Sequence, residues 1–310
     1  MEIFWKMRGI WKAHGALLLV NLLYAASHVI AKDVMPNYLS PNVFILLRVS
    51  GACLLFWLMF RLFAYEKVEG KDFFLLAICG LFGVAINQLF FFHGLNQSSA
   101  FNAGIIMAFN PIIVIVLAFF ILKNKINYRQ LIGVLLGAIG AILLTMNSFK
   151  DNPSTFMGDV FLVVNTISYA LYLILAKPLM VKYRPLTVVT WVFTFGLFFV
   201  LLFPPMLGDL RNTNFSVIPM NIVGIIIYVI VGVTFLTYLL TMYGLKHLGP
   251  TISSTYIYVQ PVMVIFFTII FATLNWTSKD ASSSITMLKF LLMMLIFMGV
   301  YLSGSKKNKK

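Results

Sequence analysis

Charge is what this sequence has least of: 10% of its 310 residues are charged and 61% are hydrophobic, for a mean hydropathy of +0.96. A soluble domain keeps about a quarter of its residues charged. So few ionic groups cannot cover a water-facing surface, which excludes a soluble globular fold and leaves lipid as the solvent. Acids are scarcer still, with 9 Asp and Glu in all, and none falls deep inside an apolar stretch. A proton relay built on buried carboxylates is thereby unsupported. His28 and His93 remain as the groups whose unperturbed pKa lies near neutrality. Cysteine is limited to Cys53 and Cys79, which lie in separate apolar stretches and read as small buried hydrophobes. No His-Glu-x-x-His, Cys/His cluster, Walker glycine loop or carboxylate pair occurs. No catalytic residue, metal or cofactor is therefore expected, and an ATP-driven pump would need its motor on another chain.

What is present is length in apolar runs. Stretches long enough to span a bilayer, roughly 20 residues each, occur at 13–31, 42–60, 73–95, 100–122, 129–147, 158–176, 186–206, 221–245, 251–273 and 286–304. Asn21, Tyr24, Ser27 and His28 interrupt the first, so it is not a cleavable signal peptide. The net charge of +14 follows the predicted topology. With the N-terminus inside, the basic residues of the N-terminus and of segments 61–71, 123–129 and 177–184, together with Lys246 and those of the tail 305–310, face the cytoplasm. Lys32, Lys150, Arg211 and Lys279 fall outside. This is the positive-inside bias, so nucleic acid is not an expected partner. The lipid bilayer is, and the tail Lys306-Lys307-Asn308-Lys309-Lys310 suits anionic lipid.

The sequence repeats itself. Gly94-Leu95 precedes Asn110-Pro111 as Gly244-Leu245 precedes Gln260-Pro261, with the same spacing, 111 − 94 = 261 − 244 = 17. Val20-Asn21, Tyr24-Ala25 and Ala31-Lys32 recur as Val164-Asn165, Tyr169-Ala170 and Ala176-Lys177. The offsets lay span 1 on span 6, span 3 on span 8 and span 4 on span 9, so the unit is five helices. An odd unit enters the membrane from the opposite side the second time. Loop charges agree: 122–129 is basic without an acid, while 275–284 pairs Lys279 with Asp280. The expected fold is an all-α polytopic membrane protein of ten transmembrane helices in two inverted repeats, 13–147 and 158–304. Such repeats place a transporter's substrate site near the midplane between the halves.

With Arg48 inside span 2, a small-residue opening of span 4 running into Asn110-Pro111, and the glycines Gly133, Gly137 and Gly140 of span 5, the chain resembles the EamA-type drug/metabolite transporter superfamily over nearly its full length. The resemblance implies two EamA-like domains and export or exchange of amino acids, related metabolites or drugs. Family members often carry a Glu just after spans 4 and 9, where this chain has Lys123-Asn124-Lys125 and Leu274-Asn275-Trp276.

The polar residues at membrane depth are the candidate site. Asn21, Tyr24 and His28 share one face of span 1 at i, i+3, i+7, and Asn165, Tyr169 and Tyr172 share one of span 6 at i, i+4, i+7. Span 3 adds Asn87, Gln88 and His93, span 4 adds Asn110, and span 9 places Ser253, Tyr256 and Gln260 at i, i+3, i+7. These read as opposite walls of one cavity, or as interhelical hydrogen bonds worth about 0.6 kcal/mol each. Arg48 would cost about 2.5–3.5 kcal/mol at a helix centre. It reads either as a cavity cation for a substrate carboxylate or as a structural Arg bonding carbonyls at a helix end. Pro111 and Pro261 each free a carbonyl one turn back and form a symmetric pair of candidate hinges. Trp191 reads as an interfacial anchor, Phe90 to Phe92 as packing or lipid-facing bulk, and Gly133-x-x-x-Gly137 as a close-approach face whose partner helix is open. The functional expectation is a secondary carrier for a small metabolite at the inner membrane, with both termini cytoplasmic and the oligomeric state open. A carrier or flippase for nucleotide- or lipid-linked sugars is the alternative within transport. A membrane-embedded enzyme or scaffold is the alternative outside it.

Overall fold

The computed structural model describes residues 2–30, 34–35, 37–63, 65–98, 100–125, 127–148, 155–274 and 286–304, and every regular element among them is helical. The loop 275–284, the tail 305–310, Lys32, Lys150 and the His28 side chain lie outside the described residues. The helices run α1 (Glu2–Ile30), α2 (Pro41–Phe63), α3 (Gly70–Gln97), α4 (Ala100–Ala108 and Asn110–Phe120), α5 (Tyr128–Ser148), α6 (Phe156–Lys182), α7 (Pro185–Leu201), α8 (Met220–Leu248), α9 (Pro250–Thr255 to Val259–Thr273) and α10 (Met287–Gly304). A short helix, Pro205–Asn212, follows α7 at an 81° bend. Helices hydrophobic on every face belong in lipid or a large core, and here they stay apolar outward, with Leu54 72% and Phe74 76% exposed.

Where ten spans were expected, seven helices among the described residues are long and apolar enough to cross a membrane, or up to eight with the bent pair counted as one. The other predicted spans fall on α1, α7 and α9. Alone, α7 has 17 residues. The helix α9 is broken by a 3₁₀ turn at Tyr256–Tyr258. Its cause is local, since Pro261 has no N–H to give the Ile257 carbonyl, and the chain tightens ahead of it. Pro111 acts alike in α4, where a turn at Phe109 closes through Phe109 N to Ile106 O at 3.1 Å.

Interhelix contacts are preserved when the first five helices are exchanged for the last five. α1 packs on α8 as α6 packs on α3, α1 on α9 as α6 on α4, and α2 on α8 as α7 on α3. The pairs α2 with α7 and α5 with α10 map onto themselves. Close approaches repeat too: a Cβ on Gly94 would lie 2.9 Å from Leu162 Cγ, and one on Gly244 would lie 2.6 Å from Leu17 Cγ. Each half carries a π-helical segment in its third helix, Leu81–Ile86 in α3 and Val229–Leu236 in α8. The Gly133 face, open in the sequence, meets α10 of the same chain, where a Cβ on Gly299 would sit 2.6 Å from Gly137 N and 2.7 Å from Gly133 O.

Basic residues and their partners gather at one end of the bundle. There Lys182 Nζ lies 2.9 Å from Asp72 Oδ2, to which Tyr183 donates at 2.7 Å. Lys246 donates to the Tyr183 carbonyl at 3.0 Å and Lys177 to the Leu245 carbonyl at 3.1 Å, so α3, α6 and α8 are tied together. At the far end Ser40 and Asn42 donate to Asp209 Oδ2 at 2.9 and 2.8 Å, and Asn102 to Asp159 Oδ2 at 2.9 Å.

Candidate functional site

A cavity of about 480 Å³ lies between α1, α2, α3, α4, α5, α6, α8 and α9. It runs from mid-bundle, at Asn21 and Asn165, to the far end, where Ser27, Met35, Pro41, Asn96 and Ser98 line it. Of the residues singled out in the sequence, Asn21, Tyr24, Arg48, Asn87, Gln88, Asn110, Asn165, Tyr169 and Gln260 all line it, as does Pro261. Pro111 is buried beside Asn110 without reaching the wall.

Two predicted members stand apart from it. Tyr172 is fully buried, its ring so close to Gly83 that a Cβ there would meet Tyr172 Cδ2 at 2.5 Å. Tyr256 lies on the 3₁₀ turn, which advances faster per residue than an α-helix, and its hydroxyl sits 2.6 Å from His14 Nδ1. Tyr258 lines the cavity in its place. His93 lies beside Phe203 at 6.0 Å between ring centroids, and Trp191 packs among Trp57 and Phe73 with its indole nitrogen buried. Phe91 and Phe92 line the cavity, while Phe90 packs on Phe161.

The wall groups are fixed by one another across the halves. Gln260 donates to Asn21 Oδ1 at 2.9 Å, and Asn21 donates to the Leu17 carbonyl at 2.7 Å. Asn165 donates to the Asn87 carbonyl at 2.8 Å and Asn110 to the Thr166 carbonyl at 3.0 Å. At the centre Gln88 donates to the Tyr238 hydroxyl at 2.9 Å, and that hydroxyl donates to the Gly83 carbonyl, exposed by the π segment, at 2.9 Å. Tyr238 was not singled out in the sequence. The repeat offset, 261 − 111 = 150, carries Gln88 to position 238 and would have found it. Removing its hydroxyl strands Gly83 O and Gln88 together. Tyr238→Phe is therefore expected to lower unfolding stability by about 0.6–1.7 kcal/mol, the range of such bonds in membranes, read as a fall in melting temperature of the purified protein.

Arg48 is the one charged residue among the described lining residues. It is 5% exposed, its Nε donates to Thr234 Oγ1 at 3.0 Å, and its guanidinium carbon stands 4.8 Å from the Phe92 centroid and 5.6 Å from that of Phe44. Among the described residues no carboxylate pairs with it, and its two terminal nitrogens make no hydrogen bond. Stacking on rings holds the cation at about 0.5–2 kcal/mol while leaving the planar fork open. A fork of that kind recognises a carboxylate or phosphate through two parallel bonds.

The comparisons with known proteins agree with this architecture. The profile of the EamA-like transporter family matches residues 11–146 and again 156–305. A protein of Archaeoglobus fulgidus described as an uncharacterized transporter is 26% identical over 302 residues, covering 96% of this chain and 99% of its own. The uncharacterized transporter YyaM of Bacillus subtilis is 29% identical over 66% of this chain and 67% of its own, and a WAT1-related protein of Arabidopsis thaliana is 26% identical over 58% and 57%. A solved crystal structure superposes with a TM-score of 0.68 at 16% identity, covering 96% of each chain, which supports the fold. This chain is a multi-pass membrane protein that belongs to the EamA-like transporter family.

Proposed function

We propose that the chain is a secondary carrier that moves small carboxylate-bearing metabolites across the inner membrane by alternating access between two inverted five-helix repeats, 13–147 and 158–304. Ten transmembrane helices complete it, with α1, α7 and α9 crossing alongside the longer spans and both termini cytoplasmic. The exchange symmetry of the helix contacts and the double match of the family profile support two repeats. The clustering of Lys71, Lys125, Lys177, Lys182 and Lys246 at one end supports that end as cytoplasmic. Pro111 and Pro261 act as hinges, since each lies where its helix already breaks.

The observation that carries the substrate class is Arg48, a buried cation facing the cavity with its terminal nitrogens unpaired. A substrate carboxylate supplies the missing counter-charge, and Asn21, Asn87, Asn165 and Gln260 supply hydrogen bonds to its remaining polar groups. A nucleotide-linked sugar would bring two phosphates to a single cation, which disfavours that cargo. The test is a melting screen of the purified protein against amino acids, dicarboxylates, neutral sugars, cationic drugs and sugar phosphates. A ligand at 100 times its Kd adds about 2.7 kcal/mol to the folded state. Carboxylates are expected to raise the melting temperature and to exchange as tracers in proteoliposomes. A shift confined to sugar phosphates or to cations would replace the reading.

A further inference from the structure

A second cavity, about 540 Å³, lies at the basic end. It is framed by the last turns of α4 (Ile115, Phe119, Leu122), the C-terminal half of α6 at Lys177, the end of α8 at His247-Leu248 and the start of α9 at Gly249-Pro250-Thr251. These four pieces are repeat images of parts of α1, α3, α4 and α9 that line the central cavity. The offset 261 − 111 = 150 carries Ser98, at the end of α3, to Leu248, and the start of α4 to the start of α9. It likewise carries Ile115 to Ile265, next to the lining residue Val264. The offset for the first helices, 177 − 32 = 145, carries position 32 of the sequence, two residues past α1, to Lys177.

Between the two cavities stands an apolar plug. Ala13, Leu17, Leu248 and Ile252 form one buried cluster. Leu17 is on the wall of the central cavity and Leu248 on the wall of the second. The plug is clamped where the Tyr256 hydroxyl meets His14, joining α9 to α1. The second cavity has Lys125, Lys177 and His247 in its lining and, among the described residues, no Asp or Glu.

We infer that the second cavity is the opposite mouth of the transport path, shut off in this conformation by the Leu17, Leu248 and Ile252 plug, and that its three basic side chains make it the site receiving the substrate's anionic group at that face. The inference rests on the carrier reading above and adds to it a gate and a second binding station. A single unpaired cation at the central site and a basic vestibule at one mouth give an anion successive attractive positions along the path. The vestibule also concentrates anions at the face where the chain is most basic.

Two measurements on the full chain in oriented vesicles, in a background with Cys53→Ala and Cys79→Ala, test it, and neither needs a known substrate. In the first, Thr251→Cys is labelled from the basic face with an anionic and a cationic methanethiosulfonate of equal size. The anionic reagent is expected to react faster, and Lys125→Glu to cut that preference at least twofold, more at low salt than at high. A preference unaltered by Lys125→Glu overturns the receiving site. In the second, Ile252→Cys in the plug is labelled from the basic face and Met107→Cys in the central cavity from the other, each with and without Tyr256→Phe. Losing one interhelical bond should shift the populations about threefold, so Ile252→Cys labelling rises as Met107→Cys labelling falls. Should Ile252→Cys fold poorly, Leu248→Cys reports the same plug. Labelling that stays constant, or that rises at both positions together as in a loosened fold, overturns the gate. Reciprocal labelling with no carboxylate binding would remove the substrate reading and leave the gate standing.

Discussion

Replacing Arg48 with Gln will weaken binding of a small carboxylate by about 10- to 100-fold, because hydrogen bonds to a charged group contribute about 1.5–3 kcal/mol and each 1.4 kcal/mol is tenfold. Arg48→Lys keeps the charge but loses the fork, so its loss should fall between wild type and Gln. Neutral ligands should bind all three proteins alike. The ligand-free protein distinguishes this from a structural Arg. Arg48→Gln forfeits the bond to Thr234 at 3.0 Å and the contacts with Phe92 and Phe44. It also relieves a buried charge that no carboxylate among the described residues balances. The two effects oppose, and the melting temperature without ligand should move by only a few degrees. Calorimetric titration with a carboxylate and with a neutral analogue, beside melting curves of the empty proteins, reads both parts. An equal loss of affinity for neutral and anionic ligands would falsify the assignment.

Much of the architecture is visible in the sequence because the bilayer imposes it. Apolar length places the helices, and the odd repeat that aligns Gly94 with Gly244 and Pro111 with Pro261 points to the packing exchange between the halves. The helix breaks were legible only where a proline sits. The π segments at Leu81–Ile86 and Val229–Leu236 have no such marker. In the first, carbonyls are taken by side chains from elsewhere in the fold, Ser168 on Phe82 O at 2.6 Å and Tyr238 on Gly83 O at 2.9 Å; in the second, threonines of the same helix take them, Thr234 on Val229 O at 2.8 Å and Thr237 on Val233 O at 2.6 Å. The same limit governs the site. Faces of α1 and α6 read at 3.6 residues per turn bring Asn21, Tyr24, Asn165 and Tyr169 to the cavity. On α9 the 3₁₀ turn shifts the phase, which puts Tyr258 on the wall and Tyr256 against His14. Tyr238 stands with Thr234 and Thr241 at i−4 and i+3, a polar face on α8 that is easily passed over in the sequence because its other members are weakly polar threonines set among leucines.

Gly299→Leu is expected to cost the most of any substitution considered. Overpacking a core typically costs 1–3 kcal/mol when the obstructing atoms are side chains that can turn aside. At Gly299 they are backbone: Gly137 N would stand 2.6 Å and Gly133 O 2.7 Å from the new Cβ. Only separation of α5 from α10 relieves that contact. Separation opens the buried cluster of Val134, Ala138, Leu144, Met293 and Ile296 that the two helices share. A loss of at least about 3 kcal/mol is expected, seen as little or no monodisperse protein after detergent extraction. Gly224→Leu is the matched control, since that glycine is also helical, in α8, and a Cβ there meets nothing within 4 Å. It should extract and melt like the wild type. Gly137→Leu should cost less, within about 1–3 kcal/mol, because the nearest atoms its Cβ would meet all belong to the Tyr258 side chain beside the cavity. Should Gly299→Leu instead extract as a stable monomer with an unchanged melting temperature, the close crossing of α5 and α10 could not be what holds the ends of the two halves together.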